Sequence, residues 1–472
     1  MSINLKNIKK NKVLKAGIGY TIGNYLLKGI NFLTIPIFTR LMSTSDYGTY
    51  SIYMTYNSII SVFIAFALHS SINNAKYKFK EKYEQYISSI LILPIMFLSG
   101  LLIIVNLFGT RFEAILDLNN IIINILLIHS FANAIVQIYN SKLSVDYKYQ
   151  GFLKLSFVNT LLNLALSLAL IYFVFESNKC VGRIIGSAVP LFIIAIYIYI
   201  KSFRCAKPVV NFEYWKFGLN YSLPIIPHGL AQIVLSSFDR IMIKTLVGYS
   251  QAGIYSLGCN IEQLVKITTT SIDTVWSPWF YEQMNSGNEK KIKKMSYVYI
   301  YGIFLLLTCL ILVTPELVWF MGSKEYQDAK YIVIPLLSCT FFTFLYTLPA
   351  TVEYYYQKTK MIAIGTIGAA ILNIILNSVF IRFYGYQAAA YTTLVSYFVY
   401  FVFHYNIAKK IHGSQIYDTK FIMLFVIGII FFNFIGIILM NYSIVRFIVL
   451  FCYLMVNVVI VIKKIIPFLK EN

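Results

Sequence analysis

The sequence predicts an all-α integral membrane protein of about 14 transmembrane helices, built as two six-helix lobes with two additional C-terminal helices. Three observations carry this. Of the 472 residues, 58% are hydrophobic and 12% charged, about half the charged share of an ordinary soluble domain. Apolar stretches able to cross about 30 Å of hydrocarbon at about 1.5 Å per residue recur along the whole length. Lys and Arg are concentrated in alternate loops, as they are where cytoplasmic loops keep positive charge and translocated loops avoid it.

The spans follow in order. The first, 15–39, carries Asn24, Lys28 and Asn31 on one helical face and ends at Arg40; the second is 48–72. Lys76, Lys78, Lys80 and Lys82 separate it from the third, 86–107. The fourth, 120–143, has a neutral polar face of His129, Asn133, Gln137 and Asn140, suited either to sugar hydroxyls or to hydrogen bonds with adjacent helices. The fifth and sixth are 152–175 and 182–200, the latter stopped by Lys201, Arg204 and Lys207. The seventh, 217–246, holds Pro224, Pro227 and His228, then Asp239, Arg240 and Lys244; paired prolines remove backbone donors and predict a bend. The eighth is 252–279, and Lys290, Lys291, Lys293 and Lys294 follow it. The ninth to twelfth are 296–315, 329–352, 362–384 and 388–407, the last followed by Lys409 and Lys410. The additional pair is 421–440 and 444–462, followed by Lys463 and Lys464. With Lys6, Lys9, Lys10 and Lys12 at the start, this alternation puts both termini in the cytoplasm.

The net charge of +21 does not indicate nucleic acid, because the basic residues sit in short clusters beside apolar spans, where anionic lipid attracts them. The first span lacks a small-x-small cleavage site and reads as uncleaved. The six cysteines (Cys180, Cys205, Cys259, Cys309, Cys339, Cys452) have no pairing or metal spacing and read as small apolar residues. No P-loop, metal-ligand spacing or nucleophile elbow is present, which argues against ATP-driven transport by this chain and against an enzyme.

An internal echo organises the chain. RLMSTSDYGTYS from Arg40 resembles KTLVGYSQAGIYS from Lys244, so that Gly48 and Tyr50 match Gly253 and Tyr255. Further along, Leu162-Asn163 matches Leu372-Asn373. The lobes expected from this are 1–205 and 206–412, related by a pseudo-twofold along the membrane normal because six spans preserve orientation, with 413–472 as the additional pair.

A charged side chain at mid-helix costs roughly 2.5–3.5 kcal/mol on insertion scales, so the charges inside spans are expected to face a wet cavity. Glu262, Lys266 and Asp273 stand at i, i+4 and i+11, within about 40° of one another on the eighth span. They form either a cavity-lining stripe or a self-neutralising bridge, since i,i+4 is ion-pair spacing. Lys28 has no partner on its own helix and needs an anion from another helix or from cargo. His228 is a candidate proton carrier or a hydrogen-bonded structural residue.

SSFDRIMIKTLVGYSQAGIYSL from Ser236 and FLTIPIFTRLMSTSDYGTYS from Phe32 resemble the seventh-to-eighth span and first-span signatures of Wzx-type polysaccharide flippases, which carry O-antigen or capsule repeat units and belong to the MOP superfamily with the MATE exporters. The resemblance runs through essentially the whole chain in span number and loop length. It implies two six-helix bundles around a central cationic cavity, and a cargo of undecaprenyl-diphosphate-linked oligosaccharide moved across the bacterial cytoplasmic membrane by alternating access. Asp239 and Arg240 occupy its motif positions, and Arg40 the arginine ending its first span.

Helix geometry adds Lys28, Lys266, Asn24 and Asn31 as cargo contacts beside Arg40 and Arg240, because a diphosphate needs cationic partners. Asp239, Glu262 and Asp273 are then candidates for a coupling proton or sodium ion, or for gating. No other cofactor is expected. Membrane lipid, a polysaccharide polymerase and a chain-length regulator are the expected partners. The alternatives are a MATE-like drug antiporter, disfavoured by the mid-span cations; a membrane-embedded polymerase or glycosyltransferase, disfavoured by short outer loops; and a non-transporting scaffold.

Overall fold

A computed structural model describes residues 12–467; the basic run Lys6, Lys9 and Lys10 lies outside them. The chain is almost wholly helical, with no strand among the described residues, as expected where every backbone polar group must be satisfied without water. It divides into two compact units. The first comprises the chain up to Phe38 together with Ser45–Ile241, the second Thr39–Thr44 together with Met242 onward.

The first unit contains most of α1 (Lys12–Leu41), then α2 (Thr44–Ala65), α3 (Ile72–Phe79), α4 (Tyr83–Ile90), α5 (Ile92–Leu107), α6 (Gly109–Leu116), α7 (Asn120–Val145), α8 (Tyr149–Phe173), α9 (Lys179–Cys205), α10 (Phe212–Ser222) and α11 (Ile226–Ser237). Its core gathers Ile64, Leu68, Tyr86, Ile135, Ile138 and Ile198. Without a strong hydrophobic drive in lipid, close packing is what joins such helices. A Cβ at Gly186 of α9 would lie 2.4 Å from Ser167 Oγ of α8, so glycine allows the two helices to meet closely. Trp215 of α10 donates its indole N–H to the Ser89 carbonyl at 2.9 Å. By packing, then, the chain from 206 to 241 joins the first unit, whereas the sequence repeat counts it with the second.

The bend expected in the seventh span takes a specific form. The helix breaks into α10 and α11 around a 3-10 turn at Leu223–Ile225, beside Pro224 and Pro227. A further short helix, α12 (Asp239–Leu246), follows it.

The second unit continues with α13 (Tyr249–Asn285), α14 (Glu289–Leu312), α15 (Thr314–Met321), α16 (Lys330–Tyr355), α17 (Thr359–Tyr384), α18 (Ala388–His412), α19 (Thr419–Ile438) and α20 (Ser443–Ile460). The additional pair, α19 and α20, packs on α14, and α19 also on α16.

Among the described residues, nine helical segments are long and apolar enough to cross a membrane: spans three to six, nine to eleven, thirteen and fourteen of the sequence reading. The chain is a multi-pass membrane protein. The expected total of about 14 adds spans one, two, seven, eight and twelve, which are helical but more polar. Three of those five, spans one, seven and eight, carry the charges or prolines picked out from sequence, and the twelfth, α18, holds a buried histidine described below.

The repeat is visible in packing. In the first unit α7 and α8 both pack on α9; in the second α16 and α17 both pack on α18. The echo at Asn163 and Asn373 falls at the same register of each hairpin. Arg183 donates to Asn163 Oδ1, and Asn373 donates to Thr393 Oγ1 at 2.9 Å, each pair 20 residues apart.

The entry to α19 supplies one test. Asp418 caps the helix through the N–H groups of Lys420 and Phe421 at 3.0 and 3.2 Å, and also accepts from Tyr297 at 2.8 Å and pairs with Lys293 at 3.1 Å. The tyrosine hydroxyl, then the lysine and the helix N–H, hold its carboxyl down at about 2. The folded value lies below the unfolded one, so the contribution is present above the ordinary range near about 4 and is lost as pH falls towards about 2. Asp418→Ala is expected to cost about 1 kcal/mol and to speed amide exchange in the first turn of α19. Unchanged exchange would show that the cap is dispensable.

Candidate functional site

In the first unit, Asn24, Lys28 and Asn31 are all exposed, and their i, i+4, i+7 spacing places them along one side of α1. Lys28 lies midway along this 30-residue helix and makes no hydrogen bond or ion pair within its unit among the described residues. Its neighbours are short amides, which supply donors and acceptors without neutralising charge. The face is therefore cationic and polar at mid-depth.

The polar face of α7 resolves differently. His129 is buried, its Nδ1 3.0 Å from the Tyr53 hydroxyl of α2. Asn133 donates to Asn57 Oδ1 at 3.1 Å. These two groups join α7 to α2, while Gln137 and Asn140 further along the face are half-buried, with Asn140 Oδ1 lacking a hydrogen-bond partner among the described residues. His228 on α11 is half-buried.

Asp239 is buried and Arg240 half-buried at the start of α12, where the chain passes from one compact unit to the other. Arg40 ends α1, and its guanidinium donates to the Phe320 carbonyl of α15 at 3.0 Å. The adjacent Thr39 donates to the Met321 carbonyl at 2.6 Å. Arg40 thus satisfies a carbonyl at the end of a short helix, one of the groups a helix C-terminus leaves open.

In the second unit, Glu262 and Lys266 are paired along α13 at 2.8 Å, with side-chain exposures of 8% and 24%. Thr340 of α16 donates to the same Glu262 oxygen at 3.3 Å, and the Lys266 ammonium lies 5.9 Å from the ring centre of Tyr397 on α18. The geometry is that of a bridge tying α13 to α16 and α18, all within one unit. Asp273 stands apart from the pair, half-buried, and accepts from Ser277 at 3.4 Å. The predicted stripe therefore separates into a neutralised pair and a lone carboxylate.

Several ionic groups were not singled out from sequence, among them the half-buried Arg183 and the buried pair Glu353 and His404. Arg183 of α9 donates to Asn163 and Ser167 of α8 and stacks over Phe38 at 3.9 Å and Tyr50 at 4.8 Å. Glu353 of α16 meets His404 of α18 at 2.5 Å, both with no exposed side-chain surface. The tenth span expected from sequence ends at 352, whereas the helix continues to Tyr355 and carries Glu353 inside the packed unit. Of the cysteines, Cys180, Cys259 and Cys339 are buried, while Cys205 and Cys452 are exposed.

Residues 13–284 match the family model described as polysaccharide biosynthesis protein. Among curated relatives, the capsular polysaccharide biosynthesis protein CapF of Staphylococcus aureus is 26% identical, over 83% of this chain and 98% of that protein. The Lsg locus putative protein 1 of Haemophilus influenzae is 23% identical over 75% of this chain and 87% of that one. Among solved structures, the lipid II flippase MurJ in an inward closed conformation superposes with a TM-score of 0.74 at 16% identity, covering 95% of this chain and all of that one. An inward-facing multidrug resistance MATE transporter of the MOP superfamily gives 0.63 at 16% identity, over 83% and 96%.

Proposed function

The chain belongs to the polysaccharide biosynthesis protein family, and from that premise we propose that it is a flippase for lipid-linked oligosaccharide. The cargo is an undecaprenyl-diphosphate-linked repeat unit, carried across the bacterial cytoplasmic membrane by alternating access, with both termini of the chain in the cytoplasm. The product is an O-antigen, capsule or exopolysaccharide. A lipid II flippase with the same fold supports the lipid-linked class of cargo, and the capsule protein among the relatives supports the pathway.

The observation that carries the reading is Lys28. A mid-helix ammonium without a partner in its own unit must face water, and its natural counterion is an anionic cargo headgroup. Asn24 and Asn31 beside it suit sugar hydroxyls. Lys266 is already neutralised by Glu262 and Arg40 is engaged with Phe320, so Lys28 is the main diphosphate contact, with Arg240 as a second. Asp239 and Asp273 act as gating carboxylates, and a proton or sodium gradient drives the cycle. A MATE-like exporter of cationic drugs is disfavoured, because the exposed mid-helix charge on the polar face of α1, Lys28, is positive.

Depletion of the protein in its native cell is the direct test. Lipid-linked oligosaccharide is expected to accumulate on the cytoplasmic leaflet while surface polysaccharide falls. Unchanged lipid-linked pools and normal polysaccharide on depletion would overturn the proposal.

A further inference from the structure

Among the described residues of the second unit, Glu353 and His404 are the most deeply enclosed ion pair. Neither side chain has exposed surface, and the Nδ1–Oε1 distance is 2.5 Å. Their outer atoms, Glu353 Oε2 and His404 Nε2, are buried without a hydrogen-bond partner. The imidazole is caged by the rings of Tyr346 at 4.9 Å, Tyr400 at 4.7 Å and Phe403 at 5.1 Å. Its fourth side is backbone: a Cβ on Gly365 of α17 would stand 2.2 Å from Nε2. Glycine there lets the helix close directly over the nitrogen.

The enclosure limits the charge states the pair can hold. With one shared proton the pair is neutral overall, whether as carboxylate with imidazolium or as acid with imidazole. Removing that proton leaves a lone carboxylate among aromatic rings, and adding a second leaves a lone imidazolium; either buried unpaired charge costs several kcal/mol. The closed packing therefore retains one proton. Water could accept it only at Oε2 or Nε2, and Nε2 is covered by the α17 backbone. Release at Nε2 then requires α17 and α18 to part near Gly365.

The surrounding titratable groups leave this proton to the pair. Tyr346 and Tyr354 on α16 and Tyr400 on α18 are neutral phenols, and Tyr400 is hydrogen-bonded to Thr366 of α17 at 2.9 Å. From α13, Asp273 is within electrostatic reach of Tyr354, as is Tyr281. From the segment before α19, Tyr417 donates to the Leu348 carbonyl at 2.9 Å.

We propose that Glu353 and His404 form a proton-binding site whose occupancy is linked to the packing of α17 against α18. On the flippase reading, this is the site of the coupling proton, in place of a carboxylate on α13. The step is a simple transfer: the proton leaves the Glu353–His404 hydrogen bond for a water admitted at Nε2 or Oε2, and returns by the same path.

Hydrogen exchange of the full chain in lipid nanodiscs tests this without any cargo, so its result and the fate of the flippase reading are separate. Exchange in segments 359–370 and 400–412, corrected for intrinsic rates, would be followed across a pH series from about pH 5 to about pH 8. In the native chain exchange is expected to rise by up to about tenfold per pH unit through one transition, the limit for a single linked proton. The double variant Glu353→Gln/His404→Asn, a neutral pair that keeps a hydrogen bond, is expected to be flat. A flat profile in the native chain overturns the proposal, and needs no variant to fold. So does a transition that persists in the double variant or in Glu353→Gln.

Discussion

Glu262→Gln is expected to destabilise the second unit more than the double change Glu262→Gln/Lys266→Met. In the native chain the Glu262 carboxylate is buried and meets Lys266 at 2.8 Å and the Thr340 hydroxyl at 3.3 Å. Removing one member of a buried pair costs about 3–5 kcal/mol, because the other charge is left unpaired, whereas replacing both is often neutral. Lys266 keeps 24% of its side chain exposed and can turn its ammonium partly towards water, so the single change should fall at the lower end of that range. The double change should recover most of the loss, with a coupling of about 1–3 kcal/mol in the cycle. Thermal unfolding of the four purified proteins measures it. Equal loss in the single and double variants would mean that Lys266 has another anion to meet, returning it to the set of cargo contacts.

That experiment also marks where sequence stopped being decisive. Spacing of i and i+4 is shared by an ion pair and by two charges lining a cavity, so Glu262 and Lys266 could be found from sequence but not assigned. What decides is Thr340, 78 residues away on another helix, and no local pattern points to it. Glu353 and His404 were invisible for the same reason: they lie 51 residues apart, one a glutamate near the end of its helix and the other one of two histidines on a helix rich in aromatics. The repeat was more legible, because Asn163 and Asn373 are fixed by hairpin register, which two copies of one fold must share. Even so, sequence gave no hint that the first copy holds Arg183 where the second holds Thr393. The lobe boundary expected at 205/206 followed the repeat, while packing follows Trp215 and its hydrogen bond to Ser89.

Lys28→Ala is expected to slow translocation by about ten- to a hundredfold while leaving the protein folded. Stability should change by less than about 0.5 kcal/mol, since an exposed side chain with no partner in its unit contributes little to folding. Transport is different. A charge-assisted hydrogen bond to a phosphate is worth about 1.5–3 kcal/mol, and its loss at about 1.4 kcal/mol per factor of ten gives that range. Lys28→Arg should keep most of the rate, because it restores charge with a guanidinium that can grip phosphate. Lys28→Glu should be worse than alanine, since it sets like charge against the cargo. Flipping of lipid-linked oligosaccharide in proteoliposomes, at matched protein content, orders the three. Were alanine and arginine equally active, the ammonium would not be what the cargo meets, and the polar face of α1 would have to act through Asn24 and Asn31 alone.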